Sequence, residues 1–391
     1  MPPHTGEIFR AFLRLGLTSF GGPIAHLEYF RREFVERRRW LSDPEFAQLL
    51  AVSQFLPGPA SSQLGFGIGL LRGGTAGAIA AFTAFTLPSA LLLFALATLP
   101  VPSGAAAVAV VLHALKLVAA VVVLDGVTRM ARSLTPDAPR IAIAVVTAVL
   151  VTWLGAAWVQ LVAIALAGVV GAVALRSTPP PSTAALPIAA SPSRGLRLLA
   201  VFALGTLAAV LWPPSSASLT ALAATMWRAG ALVFGGGHVV LPLLEEGTVA
   251  SGWLSQEYFL SGYGAAQLVP GPMFSFAAFL GAAVPTGAAP WISAAVAVLA
   301  IFAPGFLLIG AALPTWSRIV AHPTAARAVS GINAAVVGLL AAALIDPVLP
   351  AALVSRWDLA ALALGFALQR MLHRPTLAVF TVCLLASAWI M

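Results

Sequence analysis

Gln54-Phe55-Leu56-Pro57-Gly58-Pro59 lies within an apolar stretch and returns 213 positions later as Gln267-Leu268-Val269-Pro270-Gly271-Pro272. A helix cannot run through Pro-Gly-Pro: proline removes a backbone donor and clashes with the preceding turn, and glycine opens the backbone. Each stretch therefore reads as two half-helices. Irregular backbone at membrane depth is tolerated only where protein buries it or where it lines a wet cavity. The chain breaks its helices in this way twice, at matching places.

Working outward, Phe20-Gly21-Gly22-Pro23 is echoed by Phe234-Gly235-Gly236-Gly237, Trp40-Leu41-Ser42 by Trp253-Leu254-Ser255, and Ala119-Ala120-Val121-Val122 by Ala334-Ala335-Val336-Val337. The order is kept, and Arg14 and Arg228 stand equally far before their glycine motifs. Such self-similarity marks a duplicated unit. We read residues 1–176 as the first repeat and 214–391 as the second. Residues 177–213 between them comprise a Pro/Ser-rich linker and one extra apolar run, Leu198–Leu211. An unpaired crossing turns the second bundle over, so the expected fold is all-α and polytopic, with two inverted-topology repeats and broken, re-entrant helices at the midplane.

Composition supports a membrane protein. Hydrophobic residues make up 60% of the 391 and charged residues 9%, against about 25% charged in an ordinary soluble domain. Ala76–Leu99, the flanks of Val118–Leu124 and Ile141–Leu175 are long enough for a bilayer, and the alternation of barrel strands is absent. The net charge of +8 comes from arginines in short loops, which act as topology signals and exclude a nucleic-acid-binding domain. The loop with Arg31, Arg32, Arg37, Arg38 and Arg39 corresponds to one carrying Glu245 and Glu246, as expected of loops on opposite faces. With both Gly-Gly and both Pro-Gly-Pro elements re-entrant, Arg72, Arg129, Arg132, Arg140, Arg176, Arg194, Arg197, Arg318, Arg327, Arg370 and Arg374 all fall on the cytoplasmic side, and Arg356 alone disagrees. The single cysteine, Cys383, reads as core- or lipid-facing filler. No cofactor, metal site or nucleotide loop is encoded.

The chemistry is expected at the breaks. A helix N-terminus carries about half a positive charge and unpaired N–H donors. Starts after Pro59, Pro272 and Pro23 would gather enough charge for a tetrahedral dianion. The candidate binding residues are Gly21, Gly22, Gly58, Gly235, Gly236 and Gly271 for backbone approach, Ser61, Ser62 and Ser275 for hydroxyls, Gln54 and Gln267 for amides, and Arg14 and Arg228 for charge. For any single one of these, a mended kink or a snorkelling arginine is the competing reading. Lys116, His26 and His238 are candidates for proton coupling. The histidines fit a hydrogen bond to a freed carbonyl better. Glu28, Asp125 and Asp346 suit helix ends, and Asn333 either lines a cavity or bonds a neighbouring helix. No nucleophile–base pair or carboxylate dyad marks an enzyme.

These blocks together, Phe20-Gly21-Gly22-Pro23 with His26, Trp40-Leu41-Ser42, Leu56-Pro57-Gly58-Pro59, Phe234-Gly235-Gly236-Gly237-His238 with Leu241-Pro242, and Val269-Pro270-Gly271-Pro272, resemble the chromate ion transporter family in its long, two-domain form. The resemblance spans the chain apart from its central linker. It implies export of chromate from the bacterial cytoplasm through the plasma membrane, with sulfate as the similar ion and the membrane potential or a proton gradient as the energy source. A sulfate or other oxyanion transporter or channel of the same fold is the alternative. The oligomeric state stays open: an inverted-repeat chain can work as a monomer, and homodimers are common in such folds. Gly237 stands where the first half has Pro23, so the helix start implied there is weaker.

Overall fold

The computed structural model describes residues 5–20, 22–99, 106–154, 157–175, 192–212, 216–233, 240–315, 323–372 and 375–390. Among them no strand occurs. Five helices are long and apolar enough to cross a membrane: Ala60–Thr98, Ala109–Arg132, Ser193–Leu211, Pro290–Ala312 and Pro323–Ala352. The protein is an all-α, multi-pass membrane protein. Leu196, Leu204, Leu207, Val169 and Val173 are exposed, a surface that only lipid or another apolar partner would cover.

In the first half, α1 (Thr5–Thr18) is followed by α2 (Gly22–Arg31), which widens into a π-helical turn at Arg32–Arg37, then α3 (Asp43–Phe55), α4 (Ala60–Thr98), α5 (Ala106–Leu134), α6 (Ala138–Leu154) and α7 (Ala157–Ala174). The stretch read as Ile141–Leu175 is thus two helices. The extra run is α8 (Pro192–Leu211). The second half gives α9 (Leu219–Leu232), α10 (Val240–Glu245) with a π-helical turn at Glu246–Ala250, α11 (Gln256–Leu268) and α12 (Phe276–Ala283) after a 3-10 turn at Met273–Ser275. It continues with α13 (Pro290–Ala312), α14 (Pro323–Ala343), α15 (Leu349–Ala352), α16 (Arg356–Met371) and α17 (Pro375–Ile390).

The halves match in detail. α1 and α9 each have 14 residues, and α3 and α11 each have 13. Ser42 caps α3 through the Glu45 N–H, and Ser255 caps α11 through the Tyr258 N–H, each satisfying an orphan donor of the first turn. Trp40 and Leu41 both donate their backbone N–H to Phe34, as Trp253 and Leu254 do to Thr248. The long helices α4 and α13 contain Pro88 and Pro304.

In each half the short helix after Pro-Gly-Pro folds back on the long one through small residues. α4 leaves helical geometry at Gly73 and Gly74, and a methyl on Gly69 would meet the Gly77 carbonyl at 2.5 Å. α12 ends at Ala283, and a methyl on Gly281 would meet the Ser293 carbonyl at 2.5 Å. Close approach of this kind, with little side chain between the backbones, drives helix association in lipid.

The halves are also interlaced. α5 packs against α16, α17 and α11, while α14 packs against α6 and α7. Two polar ties cross with them. His113 on α5 bonds Asp358 on α16 at 2.9 Å, both buried, and Asp358 also accepts from the N–H groups of Val354 and Ser355. Asp125, read as a solvated helix-end group, is buried instead and paired with Arg129 at 2.7 Å and with Arg370 of α16 at 3.1 Å. A buried carboxylate needs such partners, because desolvation otherwise neutralises it. Cys383 is buried in the core, as expected.

Candidate functional site

The two breaks have the same backbone. Leu56 and Val269 are extended, and Gly58 and Gly271 take φ of 130° and 106°, values that L side chains rarely adopt. Pro59 and Pro272 sit at the cap positions, one place before the first-turn position expected, and neither start has a side-chain cap. The residues that follow, Ala60, Ser61 and Ser62 in one half and Met273, Phe274 and Ser275 in the other, are all buried. The first N–H groups of a helix have no acceptor within it. Two buried, uncapped starts therefore stand beside the breaks.

Each break is held by the opposite half. The Gly58 N–H donates to Val233 at 2.7 Å, and the Gly271 N–H donates to Ser19 at 3.0 Å. Val233 and Ser19 occupy the same place, immediately before Phe-Gly-Gly. Gly58 also lies against Gly305, and Gly271 against Ser89, the residues that follow the helix prolines Pro304 and Pro88. Reciprocal contacts of this form are what a two-fold relation produces. Glycine at both positions lets backbone reach backbone.

Around this crossing the polar groups form a chain. His26 bonds the Ser19 carbonyl through Nε2 at 3.2 Å and the Ser61 hydroxyl through Nδ1 at 3.4 Å. A carbonyl only accepts, so Nε2 carries the hydrogen, and in the neutral ring Nδ1 accepts from Ser61. Gln63 donates through Nε2 to the carbonyls of Pro57 at 2.9 Å and Gly305 at 3.0 Å. Across the crossing, the Ser89 and Ser275 hydroxyls meet at 2.6 Å.

Among the buried side-chain atoms without a hydrogen-bond partner are Ser19 Oγ, Ser62 Oγ and Gln63 Oε1, on residues at or next to the breaks. Their residues are 0%, 4% and 0% exposed. A buried group left unpaired costs about 1–3 kcal/mol. Two of these residues, Ser62 and Gln63, stand in the first turn of α4, and Ser19 holds the second break through its carbonyl.

The remaining candidates are more dispersed. Gln54 is exposed, and Gln267 is buried and donates to the Met273 sulfur at 3.0 Å, so neither amide joins the cluster. Arg14 is exposed on α1. Arg228 is half-buried and donates to Thr225 at 3.1 Å. Lys116, inside α5, pairs at 3.5 Å with the exposed Glu257 in the first turn of α11. Asn333 leaves its Oδ1 unpartnered, so that oxygen bonds no neighbouring helix. Gly22 opens α2, whereas Gly21, Arg176, Gly235, Gly236, His238, Arg318 and Arg374 lie outside the described residues, as does the linker 177–191. Sequence reading missed Gln63, Ser19 and Ser89. Gln63 had a usable signal, a polar side chain in the first turn after the break.

A sequence model of the family described as "Chromate transporter" matches residues 6–172 and again 220–389. The chain belongs to the chromate transporter family. The chromate transport protein of Pseudomonas aeruginosa is 30% identical over 88% of this chain and 81% of its own length. The probable chromate transport protein of Synechococcus elongatus is 29% identical over 87% and 83%, and the chromate transport protein of Cupriavidus metallidurans 29% over 87% and 81%. No solved structure matches. The two family matches leave out residues 173–219, which contain α8. Members of this family are transporters, not enzymes.

Proposed function

We propose that this chain exports chromate from the cytoplasm across the bacterial plasma membrane, binding it where the two Pro-Gly-Pro breaks cross. The observation that carries this reading is that Ser19 Oγ, Ser62 Oγ and Gln63 Oε1 are buried without partners on residues at or next to the breaks, where two helix starts are buried and uncapped. Hydroxyls and helix-start N–H groups suit an oxyanion, and they do so without a buried lysine or arginine that would hold it too tightly to release. The repeats 1–176 and 214–391 face opposite ways, with α8 in the 177–213 connection supplying the odd crossing. Their interlaced helices rock about the crossing to alternate access. Gly22, Gly58, Gly271, Ser61, Ser62 and Ser275 form the site. Arg14 and Arg228 draw the anion towards it.

An inside-negative potential favours outward movement of an anion by about 2.3 kcal/mol per charge per 100 mV, so the potential alone is sufficient as a driving force. The test is flux of radiolabelled chromate in proteoliposomes holding the full chain under an imposed potential. Saturable flux that follows the potential, and that drops by about tenfold or more in Ser62→Ala, is expected. Flux that ignores the potential but follows a pH gradient would replace this driving force with proton antiport. A folded wild type that carries no chromate would sink the assignment, and sulfate would be tried next.

A further inference from the structure

Away from the crossing of the breaks, α4, α12 and α13 enclose a groove of about 420 Å3. Apart from Thr83 and Thr86, every side chain lining it is aliphatic or aromatic. Thr86, Ala278 and Ala294 form a buried floor, while Leu87, Leu91, Trp291 and Leu299 stand exposed along the rim. The groove is therefore open on the side that the membrane-spanning helices turn outwards.

Its dimensions limit what can lie in it. The rings of Phe82 and Phe302 are 5.1 Å apart, and from this pair α4 runs forwards and α13 backwards, so that Phe94 and Trp291 come level at the other end of the groove. Phe82 to Phe94 spans about 18 Å at the rise of a helix, slightly more than the depth of one leaflet. A volume of about 420 Å3 over that length leaves a section of about 23 Å2. One extended hydrocarbon chain has such a section, whereas a helix, about 10 Å across, does not fit. Trp291, in the first turn of α13 and exposed, marks the end at the headgroups, where tryptophan gathers in membrane proteins.

The other half shows that this face is one the fold covers. Counted from the helix prolines Pro88 and Pro304, Gly310 corresponds to Phe94 and Thr75 to Trp291. α8 reaches both: a methyl on Gly310 would meet Leu198 at 3.0 Å, and Arg194 donates to Thr75 at 2.8 Å. The chain thus supplies its own apolar cover at one pair of positions and leaves the rim exposed at the other. The wall involved is also the back of the second break. The Ser89 hydroxyl donates to the Thr86 carbonyl at 2.9 Å, and Ser89 and the Phe85 carbonyl lie against Gly271.

We propose that the groove holds one acyl chain of a membrane phospholipid, which packs α4 against the second break. Acyl chains are the solvent at this depth, and burying one in an apolar slot of its own width replaces a void beside Thr86 with contacts. The site stands whatever the cargo is; its effect on flux rests on the transport reading above.

The probe is a phospholipid carrying a photoreactive diazirine at the end of one acyl chain, added to proteoliposomes of the full chain, with labelled residues read by peptide mass spectrometry. Label should fall on Phe82, Thr83, Val298 and Leu299, and moving the diazirine next to the ester should shift it to Phe94 and Trp291. Ala295 is exposed on the α13 wall, and Ala295→Phe, which fills the groove, should cut this labelling by about tenfold or more. Chromate flux of the wild type should drop by about threefold or more when lauroyl lipids, too short to reach Phe82, replace oleoyl lipids, and that of Ala295→Phe should drop by less. Should the variant not fold, the shift of label between the two probes on the wild type decides alone. Label spread evenly over α8 and the other exposed helices would overturn the site, as would cross-links between two copies of the chain that exclude the probe. An equal drop in flux for both proteins would assign it to bilayer thickness and overturn the packing role. Label confined to the groove without chromate flux in any lipid would uphold the site and overturn the transport reading alone.

Discussion

The first and second halves share a backbone and differ in what fills it. At the first break Gln63 reaches back to Pro57 and across to Gly305. At the second, Ser275 meets Ser89, and Met273 receives Gln267. A glycine follows Pro304 where a serine follows Pro88. The duplicated part is the geometry that breaks a helix and holds the break from the opposite half. The part that has diverged is the polar lining, as expected if one face of the crossing handles the ligand and the other is structural.

The largest effects are expected from closing the breaks. A methyl at Gly58 would come within 2.9 Å of the Gly305 Cα, a backbone atom that cannot turn aside. A methyl at Gly271 would come within 2.8 Å of Ser89 Oγ, a side chain that can. Both positions also resist a side chain through their positive φ. Gly58→Ala should therefore cost about 3 kcal/mol or more and abolish flux, and Gly271→Ala about 1–2 kcal/mol. Ser89→Gly, which makes the second crossing resemble the first, should partly rescue Gly271→Ala and cannot help Gly58→Ala. Thermal unfolding in detergent, run as a double-mutant cycle, reads the difference. Equal losses without rescue would mean that backbone strain alone matters at both breaks.

Much of this was legible in the sequence because it is local. Apolar length requires helices, Pro-Gly-Pro ends them, and Ser42 and Ser255 cap the next ones. What stayed hidden depends on partners far along the chain. His113 and Asp358, or Asp125 and Arg370, carry no mark of the tie that joins them. Gln54 looked like the amide of the site because it precedes the break, yet it lies on the exposed side of α3. Gln63 enters the site only because Gly305 of the other half comes to meet it. Periodicity predicts which residues share a helix face, but not which foreign backbone arrives there.

The loops after α2 and α10 give a second contrast, of intermediate size. Burial would push the Glu33 carboxyl up, but hydrogen bonds from Arg38 and Arg37 bring it below the usual range. Its contribution is present above the unfolded value of 4.5 and is lost as pH falls through the lower folded value. In the second loop, burial pushes Glu245 up to about 7, with Asp346 adding to the rise, and pushes Glu246 up to about 7 against the pull of Arg228. These two favour the protonated form, so the stability they confer is present below 4.5 and is lost as pH rises towards 7. Detergent-solubilised protein should lose up to a few kcal/mol between those values and then level off. Glu245→Gln with Glu246→Gln should flatten that slope, and Glu33→Gln should alter only the acid limb. A slope surviving the double variant would place the titrating groups elsewhere.

The smallest effect lies one residue before each tryptophan. Arg39 has φ of 51°, and Gly252, just before Trp253, has φ of 73°. The left-handed turn is the same, filled by glycine in one half and by arginine in the other. A side chain there costs about 1 kcal/mol, and a methyl on Gly252 would meet nothing within 4 Å, so conformation is the only cost. Gly252→Ala should destabilise by about 1 kcal/mol, and Arg39→Gly should stabilise by somewhat less, since glycine also loosens the unfolded chain. The first half tolerates this strain next to Arg38 and Arg72, which stack on Trp40, on the loop whose positive charge the sequence reads as cytoplasmic. If charge is why arginine persists there, Arg39→Lys should leave insertion unchanged, whereas Arg39→Gly should yield a more stable protein with a larger misoriented fraction, read by labelling a single cysteine introduced in that loop of a Cys383→Ala background. An Arg39→Gly protein inserted as uniformly as the wild type would show that arginine at this turn serves no topological purpose.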